Sequence, residues 1–357
     1  MKLRYRIMLK LEKLFFQLVR RLRIYPPTES IAIDSMEIIK NGIPKKKILY
    51  LAVKYDYDNK YRGVSYEEYN FFDVLKNIPN IEIVRLDIYS IYRKYGKSIA
   101  NDVIQEVAFM EGADTLLLIL YHDIFDYNML KKLKNIYGID TILWLFDDDK
   151  RYPYTKGLVK CFNKVVTTLK ERHKQRKMEG INSYLAQFAA NHYLYKKLPI
   201  EKKYDVVFIG QNFENRQEYI EFLIKNGIDI HVFGRGWENS GRISQREMIE
   251  KMNQAKIMLN FSSSAGNPHL KYPKGRVFEI PATGSFLLTE NCDELEDYFT
   301  IGKDLDIFTN KKTLLSKIKY YLKNEVERER IAKNGYERAL KDHTYEKRFL
   351  NILNLID

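Results

Sequence analysis

The chain has 357 residues, enough for two ordinary domains, and it is 45% hydrophobic and 30% charged, which excludes a disordered polyelectrolyte. Its two cysteines, Cys161 and Cys292, exclude a disulfide framework and point to a reducing cytosol, and its six histidines form no HExxH or comparable metal signature. The net charge of +13 is concentrated at one end: residues 1–24 hold eight bases and one acid, leaving +6 for the other 333, so an all-over nucleic-acid surface is not indicated.

The first 24 residues read as one helix ended by Pro26-Pro27. Ile7, Leu11, Leu14, Phe15, Leu18 and Leu22 recur at helical spacing, with Lys and Arg on the other side. Charges interrupt every apolar stretch and no small-residue cleavage site follows, so a secretory signal is not expected. Such a basic amphipathic helix either lies on an anionic membrane surface or packs its stripe against protein. Residues 25–46 read as a linker, and no apolar run approaches the length of a membrane span.

From Lys47 the pattern is strand, helix, strand. Continuous apolar runs at 47–53, 81–86, 115–121, 141–146 and 164–169 alternate with amphipathic stretches near 66–77, 98–111 and 128–137, and 181–188 offers an edge strand. Runs without polar alternation predict strands buried on both faces, as in a parallel sheet. The pattern restarts at "YDVVFIG" (204–210), with strands at 229–237, 255–262, 285–289 and 305–308. Helices are expected near 215–226, 244–254, 311–323, 325–340 and 344–355. The expected division is an arm and linker over 1–46, one doubly wound domain over 47–195, a second over 196–340, and a C-terminal helix over 341–357 that packs back on the first domain.

Ligands of open α/β sheets collect beyond the carboxyl ends of the strands, so the residues there are the candidates. After the first strand come Gly63, which allows close backbone approach, and Ser65 with Glu68, a capping-box pattern at a helix start suited either to a phosphate or to an ordinary turn. "YHD" (121–123) brings His122. "FDDDKRYP" (146–153) brings Asp148 within three carboxylates that call for solvent, cations or a binding role. In the second half Gly210 opens a turn before Arg216, which either grips a diphosphate through two oxygens or pairs on the surface with Glu214 or Glu218. "FGRGW" (233–237) places Gly234 at another strand end, and "NFSSSAGNPHLKYPKGR" (260–276) reads as a ligand-facing or simply flexible loop.

These stretches resemble the bacterial spore-maturation (CgeB-like) glycosyltransferases, a branch of the two-domain GT-B class. The resemblance is carried by "WLFDDDKRYP", "FIGQNFENRQEYIEFLIKNGIDIHVFGRGW", "KGRVFEIPATGSFLLTENCDELEDYF" and "YYLKNEVERERIAKNGYERALKDHTYEKRFLNIL". It implies an α/β fold of two Rossmann-like domains facing across a cleft. It also implies a metal-independent glycosyltransferase that needs no cofactor and uses a UDP- or GDP-linked sugar. In the related glycogen-synthase-like enzymes a glutamate at the position of Glu279 accepts the ribose hydroxyls, and two oxygens suit a vicinal diol. A second glutamate eight residues earlier contacts the donor sugar there; here that position is Lys271. Arg216 falls on a diphosphate-binding position, and Lys274 or Arg276 could supply the charge that Gln211 lacks.

If transfer inverts, His122 or Asp148 is the expected base; if it retains, no strong base is required. The acceptor is an envelope glycan, a lipid-linked glycan or a protein, and no nucleic acid is expected. The location is cytoplasmic, at the inner face of a membrane if the arm binds lipid. The rivals are a catalytically inactive nucleotide- or glycan-binding protein and another nucleotide-dependent enzyme of the same architecture.

Overall fold

The computed structural model describes residues 27–238, 241–264 and 267–355. The expected basic helix over residues 1–24 lies outside them. They form two compact units, one ending at Ala186 and one beginning at Gln187.

In the first unit seven strands run in the order β1-β3-β2-β4-β5-β6-β7. They are β1 (Met36–Asn41), β2 (Lys46–Leu51), β3 (Ile81–Leu86), β4 (Thr115–Ile119), β5 (Asp140–Leu145), β6 (Lys164–Thr167) and β7 (Ser183–Leu185). All pair in parallel except β1, which runs antiparallel to β3. The runs read as doubly buried are so: Leu49, Leu51, Leu116, Leu118, Leu143 and Leu145 face one core. The alternate residues Tyr50, Leu117 and Trp144 are equally buried, and Phe71 and Phe72 of the helical stretch 66–75 pack on Trp144 and Tyr50.

Part of the segment expected to be a linker is structured. Helix α1 (Pro27–Ser35) leads into β1, and Glu37 lies directly across from Arg85 at 3.2 Å. Helix α2 (Ile88–Met110) begins ten residues earlier than expected, across an interruption at Gly96. Helix α3 is Tyr127–Asn135. Two short polar helices lack an apolar stripe and escaped the periodicity: α4 (Asp148–Thr155) and α5 (Lys170–Met178).

The second unit holds β8 (Tyr204–Ile209), β9 (Ile230–Phe233), β10 (Ala255–Asn260), β13 (Leu287–Glu290) and β14 (Asp306–Phe308), all parallel, in the order β14-β13-β10-β8-β9. A small antiparallel ladder, β11 (Ser263–Ser264) with β12 (Asn267–Lys271), shapes the loop after β10. Successive strand residues face opposite cores: Val207, Ile209, Met258 and Leu287 on one side, Val206, Phe208, Leu259 and Leu288 on the other. The helices are α6 (Arg216–Lys225), α7 (Gln245–Gln254), α8 (Gly275–Ala282), α9 (Lys311–Lys323), α10 (Glu325–Asp342) and α11 (Tyr345–Ile352).

The division falls after Ala186 rather than after residue 195, because residues 187–195 are tied to the chain's end. Ala190 bridges Thr344, the Tyr193 hydroxyl donates to Glu346 at 2.7 Å, and Arg348 donates to the Gln187 carbonyl at 3.3 Å. Helix α11 thus packs within the second unit.

His343 joins α10 to α11. Its Nε2 lies 2.8 Å from the Tyr298 carbonyl and its Nδ1 3.3 Å from Arg348, so the neutral ring donates at one end and accepts at the other. Burial pushes its pKa down to about 4, and Arg348 and Arg338 add to the effect. The unfolded chain therefore takes up the proton first, and stability present above pH 6.5 is lost as pH falls towards 4. At about 1.4 kcal/mol per factor of ten in proton affinity, the loss is on the order of 3 kcal/mol. Urea unfolding at pH 7.5 and pH 5 should show about 2 kcal/mol of this loss in the wild type, the rest falling below pH 5, and a shallower decline in His343→Gln.

Candidate functional site

The second sheet reverses its winding between β8 and β10, and a crevice is expected beyond their carboxyl ends. The loop after β8 is held by the loop after β9. Gly210 N donates to Phe233 O at 2.8 Å, Asn212 N to Arg235 O at 2.9 Å, and Trp237 Nε1 to Gly210 O at 2.8 Å. Gly234 has φ 139°, and a Cβ there would stand 2.2 Å from the Gly210 oxygen. Its missing side chain admits the neighbouring loop, which fixes the course of the backbone at Gly210.

Arg216 opens α6 and is 6% exposed. Its guanidinium sits 3.7 Å from the Phe213 ring centroid and within 5.6 Å of Phe208 and Phe261. Nη1 donates to the Gln211 carbonyl at 2.9 Å, while Nε, buried, has no partner among the described residues. Burial pushes its pKa down to about 10, against the pull of Glu290 and Glu214, so it stays charged at neutral pH. A surface pair with Glu218 does not form, because that carboxylate binds Lys311 at 2.8 Å.

Helix α8 carries Glu279, fully buried. Pro281 and Gly284 end the helix as expected: Gly284, at φ 72°, donates to the Pro281 carbonyl at 2.8 Å. One Glu279 oxygen forms a close ion pair with Arg276, whereas Oε1 is buried with no partner among the described residues. Lys274, at the start of α8, donates to the Ser263 carbonyl at 2.8 Å. Lys271 is paired at 2.8 Å with Glu290, at the carboxyl end of β13. Glu290 is nearly buried, accepts from Ser262 N at 3.0 Å, and was not singled out in the sequence because nothing in "SFLLTEN" shows which way a strand-end carboxylate turns.

The first unit's candidates do not converge in the same way. Gly63, at φ 84°, has nothing within 4 Å of where a Cβ would stand. Ser65 accepts from Glu68 N at 3.1 Å, but the Glu68 carboxylate goes to Arg85 at 2.7 Å, so the capping box is half made. His122 is exposed beyond β4, its ring centroid 4.1 Å from that of Tyr121.

Asp148 corrects the sequence reading. It is completely buried, with its two oxygens 3.1 and 2.5 Å from Arg176, and is no longer available as a base. The Asp147-Asp148-Asp149 run avoids mutual repulsion because left-handed Asp147 (φ 49°) stays exposed while Asp148 turns into the core. Two groups at this edge were missed. Arg151 donates to the Tyr121 carbonyl at 2.8 Å, and burial pushes the Glu67 carboxyl up, with its own backbone N–H, Ser65 and Arg151 opposing. Among the described residues no three His, Cys, Asp or Glu side chains are placed to hold a metal.

Residues 216–354 match the family described as "Glycosyl transferase-like". Among solved structures the chain is similar to sucrose-phosphate synthase from Thermosynechococcus elongatus, with a TM-score of 0.60 at 10% identity over 87% of this chain and 98% of that one. A glycosyltransferase from Rickettsia africae gives 0.58 at 10% identity over 86% and 97%. Anabaena HepE in complex with UDP and glucose gives 0.54 at 11% over 87% and 100%. At such identity the likeness is one of fold, and no curated protein matches. The fold is that of the GT-B glycosyltransferases. The family match lies within the second unit and spans about two fifths of the chain.

Asp148→Asn should strand the buried Arg176 charge and cost about 3–5 kcal/mol in urea unfolding. A catalytic Asp148 would instead leave the urea midpoint in place and lower only turnover.

Proposed function

We propose that the protein transfers a sugar from a nucleoside-diphosphate sugar, held by the second unit, to an envelope glycan, lipid-linked glycan or protein acceptor bound by the first. The observation that carries this reading is the buried, aromatic-lined Arg216 at the switch point of the second sheet, with Nε unpartnered. A charged donor left so has a ligand as its natural complement, and a diphosphate offers adjacent oxygens to a planar fork. Glu279 with its unpartnered oxygen suits the ribose diol. The diol reaches it by turning aside Arg276, whose side chain is 28% exposed. That HepE holds UDP and glucose, and in another crystal UDP-glucose, supports a donor of this chemistry. The quoted stretches support the CgeB-like spore-maturation branch as the narrower assignment.

In this reaction the bond from the anomeric carbon to the diphosphate oxygen breaks, and charge develops on that oxygen. Arg216, Lys274 and the N-terminus of α6 aim fixed positive charge there, and Arg276 joins them once the diol has turned it aside, which serves in place of a metal ion. If the configuration inverts, His122 or Glu67 at the first sheet's carboxyl edge takes the acceptor proton.

Arg216→Lys keeps the charge and loses the fork. Calorimetry should show nucleoside diphosphate binding weakened by at least about 1.5 kcal/mol, with nucleoside binding unchanged. Glu279→Ala should weaken nucleoside and nucleoside diphosphate alike, by about 1.5–3 kcal/mol, since both carry the ribose. Unchanged affinities in folded variants overturn the assignment. Wild-type binding of the donor without hydrolysis or transfer favours the inactive binding protein.

No described helix is long and apolar enough to cross a membrane. The basic stripe of residues 1–24 supports peripheral attachment to an anionic surface, at about 1 kcal/mol per Lys or Arg near it. Full-length protein should pellet with anionic vesicles at low salt and release at high salt. A chain starting at residue 25 should stay in solution and still bind nucleotide; equal pelleting would clear the arm of this role.

A further inference from the structure

The second unit holds a polar cavity of about 250 Å³ that the proposed diphosphate and ribose contacts leave unused. It opens at the carboxyl ends of β13 and β14 and is lined by His269, Lys271, Glu290, Asn291, Cys292, Asp293 and Thr309. Glu290 links it to Arg216 through consecutive residues of one loop: Ser262 N donates to Glu290 at 3.0 Å, and the Phe261 ring centroid lies 5.6 Å from the Arg216 guanidinium. Glu290 is held from two sides, by Lys271 on one oxygen and by Ser262 N on the other. A carboxylate oxygen accepts more than one hydrogen bond, so each retains capacity, and the ammonium keeps two further donors.

We propose that this cavity receives the sugar of the donor, that Glu290 braced by Lys271 reads its hydroxyls, and that the sugar is a single uncharged ring. The proposal rests on the donor reading given above. The cavity's volume of about 250 Å³ has room for one sugar ring. Its wall supplies both donors and acceptors, as a polyhydroxylated ring requires: Lys271 and Asn291 donate, Glu290, Asp293 and Thr309 accept. Its charge sets the class. One ammonium faces two carboxylates, Glu290 and Asp293, and burial pushes the Cys292 thiol up to about 11, so no thiolate forms at neutral pH. An acidic sugar would add a third negative charge here. Position 271 itself bears a cation, and the carboxylate comes instead from strand β13, brought within 2.8 Å of it by the fold.

The test is calorimetric binding of UDP, GDP, UDP-glucose, GDP-mannose and UDP-glucuronate to the full chain and to Glu290→Gln and Lys271→Met. In both variants the affinity for the neutral sugar conjugate should fall about tenfold more than that for the bare diphosphate that the wild type binds. The wild type should bind UDP-glucuronate about tenfold more weakly than UDP-glucose if its base is uracil. Lys271 is partly exposed, so Lys271→Met carries the test if Glu290→Gln does not fold. Equal losses for diphosphate and sugar conjugate, unchanged binding of both, or a preference for the glucuronate overturn the proposal and leave the donor reading standing. A wild type that binds no nucleoside diphosphate at all overturns both.

Discussion

A guanidinium taken out of water without a carboxylate of its own governs the second unit. Arg216 rests on three phenyl rings, gives one hydrogen bond to a carbonyl, and leaves Nε unpaired. An unsatisfied buried donor costs about 1–3 kcal/mol, and more where charge is involved. Folding alone gains nothing from that expense. Its surroundings are built to bear it: the rings of Phe208, Phe213 and Phe261 offer π faces, and Glu290 supplies a counter-field without closing on the fork. Gly234 fits under Gly210 so that the loop carrying Gln211 holds its carbonyl where Arg216 needs it.

The first unit shows what a buried arginine looks like when its charge is settled internally. Arg176 is met by both oxygens of Asp148 and by Thr155, and the helices α4 and α5 that carry the partners are pinned together by that contact. Such a pair organises local structure and leaves no net charge for a ligand. The difference between the two arginines is therefore not burial, which they share, but the presence of a partner of opposite charge at hydrogen-bond distance.

That difference also marks how far the sequence could be read. The doubly buried strands announced themselves as continuous apolar runs, and the parallel part of each sheet follows from them. Arg216 and Glu279 stood out as candidates because each lies near a strand end with a glycine or proline close by, while the roles expected of them came from the resemblance and their burial could not be read. Asp148 misled because three adjacent carboxylates look alike on paper, and a single left-handed residue, Asp147, decides which of them turns inward. Strand β1 was invisible because it is a short, half-exposed edge strand whose Glu37–Arg85 pair spans 48 residues. The same limit hid Glu290. Lys271 could be seen to stand where a carboxylate was expected, but only the packing of β12 near β13 reveals the carboxylate that faces it.

The cations at the second unit's carboxyl edge share one property: each is already oriented by an interaction on one side. Lys271 leans on Glu290, Lys274 on the Ser263 carbonyl and Arg216 on the Gln211 carbonyl, while Arg276 leans on Glu279 only until a diol displaces it. Free lysines and arginines would have to give up rotamer entropy when a charged substrate arrives. Groups fixed beforehand do not, and their dipoles and charges need little rearrangement as negative charge grows on a leaving group. Carbonyl and carboxylate partners are suited to this, because they orient a cation while leaving part of its positive potential unspent. The carboxylates then have a second use, since oxygens that brace a cation retain lone pairs for hydroxyls. The donor proposed above, anionic at its diphosphate and hydroxylated at both the ribose and the sugar, would use both the cations and the carboxylates of such braced pairs.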